Sequence, residues 1–260
     1  MSPVFTMLGV VSVPLNTWQL LGVICASAVF WMQYVQLKDS RKPEPRRRLF
    51  MAFGLGIVAW LLAMLASMGL DALGFTEIKL GERLWTARFC FLIVGPIEEG
   101  SKALLAYLFV FRWREFDEPI DGFVYAAAIA LGFASAESFY NVPDLGWQEQ
   151  LARTAALPIT HVLFSAIWGF GAGYAHCCVT GRTRRKCWQI GSLALGMFAH
   201  GLYDFLILAY QATYVTSGLA LGIWIFVIWR AKSCVRQHDS LSAATASPKL
   251  RHEDHRDRHE

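Results

Sequence analysis

The chain has 260 residues, of which 55% are hydrophobic and 17% charged, and its net charge is +4. A soluble domain carries about a quarter charged residues, so the composition excludes an ordinary soluble fold and points to a lipid bilayer as the solvent. The small net charge sits in short loops, which excludes a nucleic-acid-binding surface. Ten tryptophans and eight tyrosines suit the aromatic belts of a membrane protein. The six cysteines (Cys25, Cys90, Cys177, Cys178, Cys187 and Cys234) form no CxxC pair and no disulfide framework, and read as small hydrophobes. The N-terminus lacks the basic region and cleavage site of a signal peptide.

Seven runs are long enough to cross about 30 Å of hydrocarbon as helices. They lie near 18–37, 49–70, 85–111, 122–140, 157–179, 188–211 and 213–230, so the expected fold is an all-α polytopic membrane protein. The third run carries Gly95-Pro96, and proline predicts a bend there because it removes a backbone donor. Pro158 suits the first turn of the fifth. Asp121 and Glu118 suit the N-terminus of the fourth, as helix-capping acids. Residues 71–84 read as a polar outer connection, part of it helical, and 141–157 as a second outer loop with Trp147, Leu151 and Thr154 at helical spacing. Residues 1–236 form the membrane domain, with a motif-bearing core at 95–205. Residues 237–260 are Ser/Ala-rich, then charged, and read as a disordered cytoplasmic tail, its HEDHRDRHE a solvated stretch.

Basic residues set the orientation, because lysine and arginine favour the cytoplasmic side. One set of alternate loops holds fifteen, including KDSRKPEPRRR at 38–48 and GRTRRK at 181–186. The opposite set holds four: Lys79, Arg83, Arg88 and Arg153. The expected topology is N-terminus outside and C-terminus in the cytoplasm.

Within these apolar runs lie side chains that lipid rejects. GPIEEGSKALLAYLFVF, at 95–111, places Glu98, Glu99 and Lys102 in the third run. Each charge at the bilayer centre is unfavourable by roughly 2.5–3.5 kcal/mol, so the three must face protein or a wet cavity. The fourth run sets Glu137 and Asn141 one turn apart. In the fifth, His161, Ser165, Gly169 and Gly173 form a narrow polar and small-residue stripe of the kind that lets helices approach closely. The sixth carries His200 and Asp204 at i and i+4. Singly, each has a plain structural role: Glu99 or Glu98 with Lys102 is a neutralising pair, a histidine is an interhelical donor, and Asp204 orients His200. Seven ionisable groups on four runs exceed what a scaffold needs.

Depth, at about 1.5 Å per residue, puts His161 and Glu137 within a turn of the outer surface, Asp204 two turns down, and His200 and Glu98 deeper. The cavity should therefore open outward, with Lys102 at its floor. The chemistry on offer is hydrolysis, with a carboxylate as general base and a histidine to orient water or stabilise an oxyanion. Ser135, Ser138 and Ser165 lack a nucleophile motif. Zinc held by His161, His200 and Glu98 is the alternative to a metal-free site, although HExxH is absent.

In order along the chain, PIEEGSK, FDEPIDGFVYAAAIALGFASAES, PITHVLFSAIWG and HGLYD resemble the PrsW family of intramembrane proteases, a distant relative of the CAAX prenyl endopeptidase group. The resemblance covers about 95–205. It implies an intramembrane endopeptidase with Glu98 and Glu99 as essential acids and His200 as the essential histidine, completed by Glu137 (in an FxxxE with Phe133) and His161. Lys102, Asp204, Asn141 and Arg153 are the supporting candidates. Ser138 stands where the family often has asparagine. The resemblance further implies a bacterial cytoplasmic membrane and a single-pass substrate, such as an anti-sigma factor, cut near its outer side. The family is often described as metallo-type, so it leaves the cofactor open.

Two other classes compete. A proton-coupled transporter also buries acids, histidine and lysine, but such proteins often carry paired broken helices and only one Gly-Pro break occurs here. A non-enzymatic membrane scaffold would not need the adjacent Glu98-Glu99 pair.

Overall fold

The computed structural model describes residues 14–38, 42–75, 82–141 and 145–211, with isolated positions at 215, 218, 222 and 225. Regular structure among the described residues is entirely helical. In chain order come α1 (Thr17–Lys38), α2 (Arg46–Ala72), α3 (Arg83–Arg88), a π-helical segment (Phe89–Val94), α4 (Gly95–Leu108), a 3₁₀ turn (Val110–Arg112), α5 (Asp121–Asn141), α6 (Trp147–Cys178) and α7 (Arg182–Tyr210). Five of these, α1, α2, α5, α6 and α7, are long and apolar enough to cross a membrane. The run expected as a third span forms α3, the π segment and α4 end to end, and no piece of it reaches that length alone. The expected seventh span, 213–230, lies outside the described residues apart from isolated positions, and so does the whole tail, 237–260.

α5 is apolar on every side, which is the pattern of a helix enclosed by others. It is buried from Asp121 through Ala134 and packs against α1, α2, α4 and α6. Its crossing with α6 is a backbone contact. A Cβ on Gly122 would run into the main chain of Gly169, and one on Gly169 into Gly122 and Ala126. The lower half of the small-residue stripe thus lets α6 lie against α5. The upper half, His161 and Ser165, is free to carry polar side chains into the same interface. Outer faces of α2 and α7 expose Phe50, Leu65, Ile190 and Leu195, apolar surface suited to lipid.

The bend expected beside the glutamates takes the form of a π-helical segment. Pro96 has no N–H to give to the preceding turn. The turn before it widens, and Gly95 N–H bonds the carbonyl of Cys90, five residues back. Gly95 and Gly201 then allow α4 and α7 to touch at backbone level, since a side chain at Gly95 would strike Met197 O and one at Gly201 would press on Cys90 O. This close approach brings Glu98 and His200 within reach of each other.

Three expectations need correction. Residues 147–156 are helix, not loop: α6 begins at Trp147, so Pro158 lies inside it rather than at its first turn. The proline denies Thr154 O its helix partner, and Ser27 Oγ from α1 donates to that carbonyl at 3.0 Å instead. His161 consequently sits well inside its helix, not within a turn of its start. Asp121 does not cap α5 forward. Its Oδ2 reaches back to accept the N–H groups of Asp117 (2.8 Å) and Glu118 (2.6 Å), tying the incoming loop to the helix. The same end is clamped to the start of α2 by Tyr125 donating to Glu44, by Lys42 with Asp117, and by Arg48 Nε with Glu115 Oε1 at 3.0 Å. The Arg48 hydrogen bond holds the Glu115 carboxyl below its usual range.

Candidate functional site

Four helices contribute one polar stripe each to a common centre. α4 supplies Glu98, Glu99 and Lys102, α5 supplies Phe133 and Glu137, α6 supplies His161, Ser165 and Trp168, and α7 supplies His200 and Asp204. On α5, α6 and α7 the spacing is three or four residues, which keeps the groups on one face, and on α4 Lys102 stands at i+4 and i+3 to the adjacent Glu98 and Glu99.

Lys102 is fully buried at the base. Its Nζ lies 2.7 Å from Glu99 Oε1, 2.9 Å from His161 Nδ1 and 4.0 Å from Glu98 Oε2, and stands 4.1 Å over the ring centre of Phe133. A lysine ammonium only donates, so in this contact His161 Nδ1 accepts and its proton is on Nε2. That nitrogen faces Glu137 Oε2 at 2.8 Å.

Glu99 is equally buried, and every oxygen is taken. Oε1 meets Lys102 at 2.7 Å and His200 Nδ1 at 3.0 Å; Oε2 accepts from Ser165 Oγ and from Trp168 Nε1, each at 2.8 Å. Phe164 stacks on the His200 ring with centroids 4.7 Å apart. The far nitrogen of His200, Nε2, points into the cavity, 3.8 Å from Glu98 Oε2 and 3.5 Å from Asp204 Oδ2.

Glu98 contrasts with its neighbour. Its Oε2 is buried without a hydrogen-bond partner, 3.8 Å from both His161 Nδ1 and His200 Nε2. Glu98, Glu137 and Asp204 are 20–25% exposed at their side chains, whereas Glu99, Lys102, His161 and His200 are at most 5% exposed. The cluster opens along those three acids.

The helices therefore bring together all seven ionisable residues singled out from the sequence. Asn141 and Arg153 are exposed and stand outside the cluster. Asp204 sits at the cavity side of His200, while Glu99 makes the closer contact at the ring's other nitrogen. Trp168 was not singled out in the sequence, and Ser165 stood there only as a member of the small-residue stripe, not as a site residue. Their signal was spacing: His161, Ser165 and Trp168 fall at i, i+4 and i+7 on one face.

Ligand atoms of Glu98, His161 and His200 all lie within 4.8 Å of one another, the one such group among the described residues. Two imidazoles and a carboxylate are a donor set for catalytic zinc, and Glu99 on the outer nitrogen of His200 is the kind of partner that orients a metal-bound histidine. These residues fit a divalent cation, on condition that His161 Nδ1 is released from Lys102.

A family model described as "PrsW family intramembrane metalloprotease" matches residues 44–231. The chain belongs to the PrsW family. That membership makes it a membrane-embedded peptidase, in keeping with its apolar helices. Proteins named Protease PrsW resemble it over most of their length. The one from Geobacillus kaustophilus (strain HTA426) is 33% identical over 215 residues, 82% of this chain and 89% of the relative. The one from Bacillus subtilis (strain 168) is 30% identical over 80% of this chain and 91% of its own. A Clostridioides difficile (strain 630) protein is 23% identical over 78% and 82%. No solved structure matches the chain. In PrsW terms, the PIEEGSK glutamates sit in two different environments, one saturated and one open.

Proposed function

We propose that this PrsW-family chain is an endopeptidase that cleaves a single-pass membrane protein near the outer side of a bacterial cytoplasmic membrane, with Glu98 as the general base. One observation carries the reading: the unpartnered, buried Glu98 Oε2 lies 3.8 Å from two imidazole nitrogens. That gap is too long for a direct hydrogen bond and suits a bridging water.

Glu98 Oε2 takes the proton of that water as it attacks the scissile carbonyl, then returns a proton to the leaving amine. His200, turned by Glu99 so that Nε2 faces the cavity, supports the developing oxyanion. Lys102 balances the charge of the paired glutamates from the next turn. The partly exposed edge of Glu98, Glu137 and Asp204 is where the substrate strand enters. A divalent cation held by Glu98, His161 and His200 would supply Lewis acidity toward water and carbonyl. The 2.9 Å contact between Lys102 and His161 Nδ1 favours the first reading, in which these residues work without a metal.

Purified protein in nanodiscs, mixed with a library of single-pass membrane proteins, should release fragments cut near the outer end of the span. Chelator treatment separates the two readings: retained cleavage supports carboxylates alone, and loss restored by zinc makes His161 and His200 ligands. No cleavage of any library member would count against the function proposed here. An anti-sigma factor is the substrate implied by the family resemblance and belongs in that library.

The orientation has its own test. A reporter active only outside the cytoplasm should work when fused near Gly146 and fail near Arg184, as the loop asymmetry of fifteen basic residues to four requires. The opposite pattern would overturn the topology.

A further inference from the structure

We propose that Ser165 and Trp168 are positioning residues that act on His200 through Glu99. The inference rests on the endopeptidase reading for its kinetic arm only. A carboxylate has about four lone-pair sites, and all four of Glu99 are occupied, by Lys102 and His200 at Oε1 and by Ser165 and Trp168 at Oε2. Glu99 has no site left for a water or a substrate proton. Its work is to hold a ring.

The geometry shows how. Two donors from α6, each at 2.8 Å, fix Oε2 and so set the plane of the carboxylate. The fixed plane aims Oε1 at His200 Nδ1, 3.0 Å away on α7. Nδ1–H donates, and Nε2 is left facing Glu98. Phe164 stacks against one face of the ring and removes tilt as a freedom. Trp168 is 2% exposed and Ser165 wholly buried, so neither donor has water as an alternative partner. An unpaired indole or hydroxyl in such an interior would be unfavourable, which makes the Glu99 contact obligatory from both sides. One carboxylate thus joins α4, α6 and α7 at the point where the orientation of His200 is decided.

Trp168→Phe keeps an aromatic ring and removes one donor. Ser165→Ala removes the other with little loss of volume. The double variant frees Oε2. With ¹⁵N-histidine labelling in nanodiscs, and His200 assigned through a His200→Gln variant, the double variant should shift or broaden the His200 ring signals. It should also lower kcat by about 10-fold or more, the usual scale for losing an outer-shell partner, with KM within about twofold. Each single variant should give a smaller change in the same direction, and Ser165→Thr, which retains the hydroxyl, should restore most of the rate. If the double variant does not fold, the singles decide by the same two readings. Unchanged His200 signals in the folded variants overturn the proposal whether kcat falls or holds, because a loss of rate without a change at His200 is a packing effect. The NMR arm stands even if no peptidase substrate is found.

Discussion

Glu98→Gln should leave the protein folded and take away its activity. Glu98 Oε2 makes no hydrogen bond, and the side chain is 20% exposed at the cavity mouth. An amide of the same shape therefore breaks little, and thermal unfolding of the variant should match the wild type closely. The lost quantity is basicity. General-base removal costs about 10²-fold or more in turnover, and the cleavage rate in nanodiscs should fall by at least that. Glu99→Gln should behave differently. An amide NH₂ must then face either Lys102 and His200 or the two α6 donors, so one side loses its acceptors and the variant should lose stability as well as rate. If Glu98→Gln retains near-wild-type cleavage in a folded protein, Glu98 is not the base.

This asymmetry between adjacent glutamates was not legible in the sequence. The motif PIEEGSK supplies two acids and a lysine at i, i+3 and i, i+4, and either acid satisfies the pairing rule. What separates them is rotation about the helix axis. Glu99 turns toward α6, where Ser165 and Trp168 wait, and Glu98 toward the opening. That information resides in helix packing across residues far apart in the chain. The gathering of Glu98, Glu137, His161 and His200 was legible, because ionisable groups on apolar helices have nowhere else to go. Helix starts lay earlier than the basic runs suggest, since α2 begins at Arg46 and α7 at Arg182 inside stretches that read as loop, and the reading failed again at 147–156. There the polar composition of WQEQLART reads as loop, and Pro158 reads as a helix start. The physical reason is a long-range hydrogen bond: Ser27 on α1 supplies the donor that the proline withholds. Nothing local announces it.

Lys102→Met should be the most destabilising single change in the site. Lys102 and Glu99 are both fully buried, and their atoms are 2.7 Å apart. Removing one partner of such a pair leaves an uncompensated charge in a low-dielectric interior, at a cost of about 3–5 kcal/mol. Three neighbours lose by it. Glu99 loses its countercharge, His161 Nδ1 loses its donor, and Phe133 exchanges a cation for a thioether. Methionine fills nearly the same length, so the loss is electrostatic rather than a cavity. A charge-cancelling variant isolates this cause. Adding Glu99→Gln to Lys102→Met removes both charges, and the double variant should unfold at a higher temperature than Lys102→Met alone, although the site is further dismantled. A pure packing role for Lys102 predicts the reverse order, with the double variant less stable than either single. Thermal unfolding of the three variants in the same detergent decides between them, and a Lys102→Met protein as stable as the wild type would mean that Glu99 is held by Ser165, Trp168 and His200 without the lysine's charge.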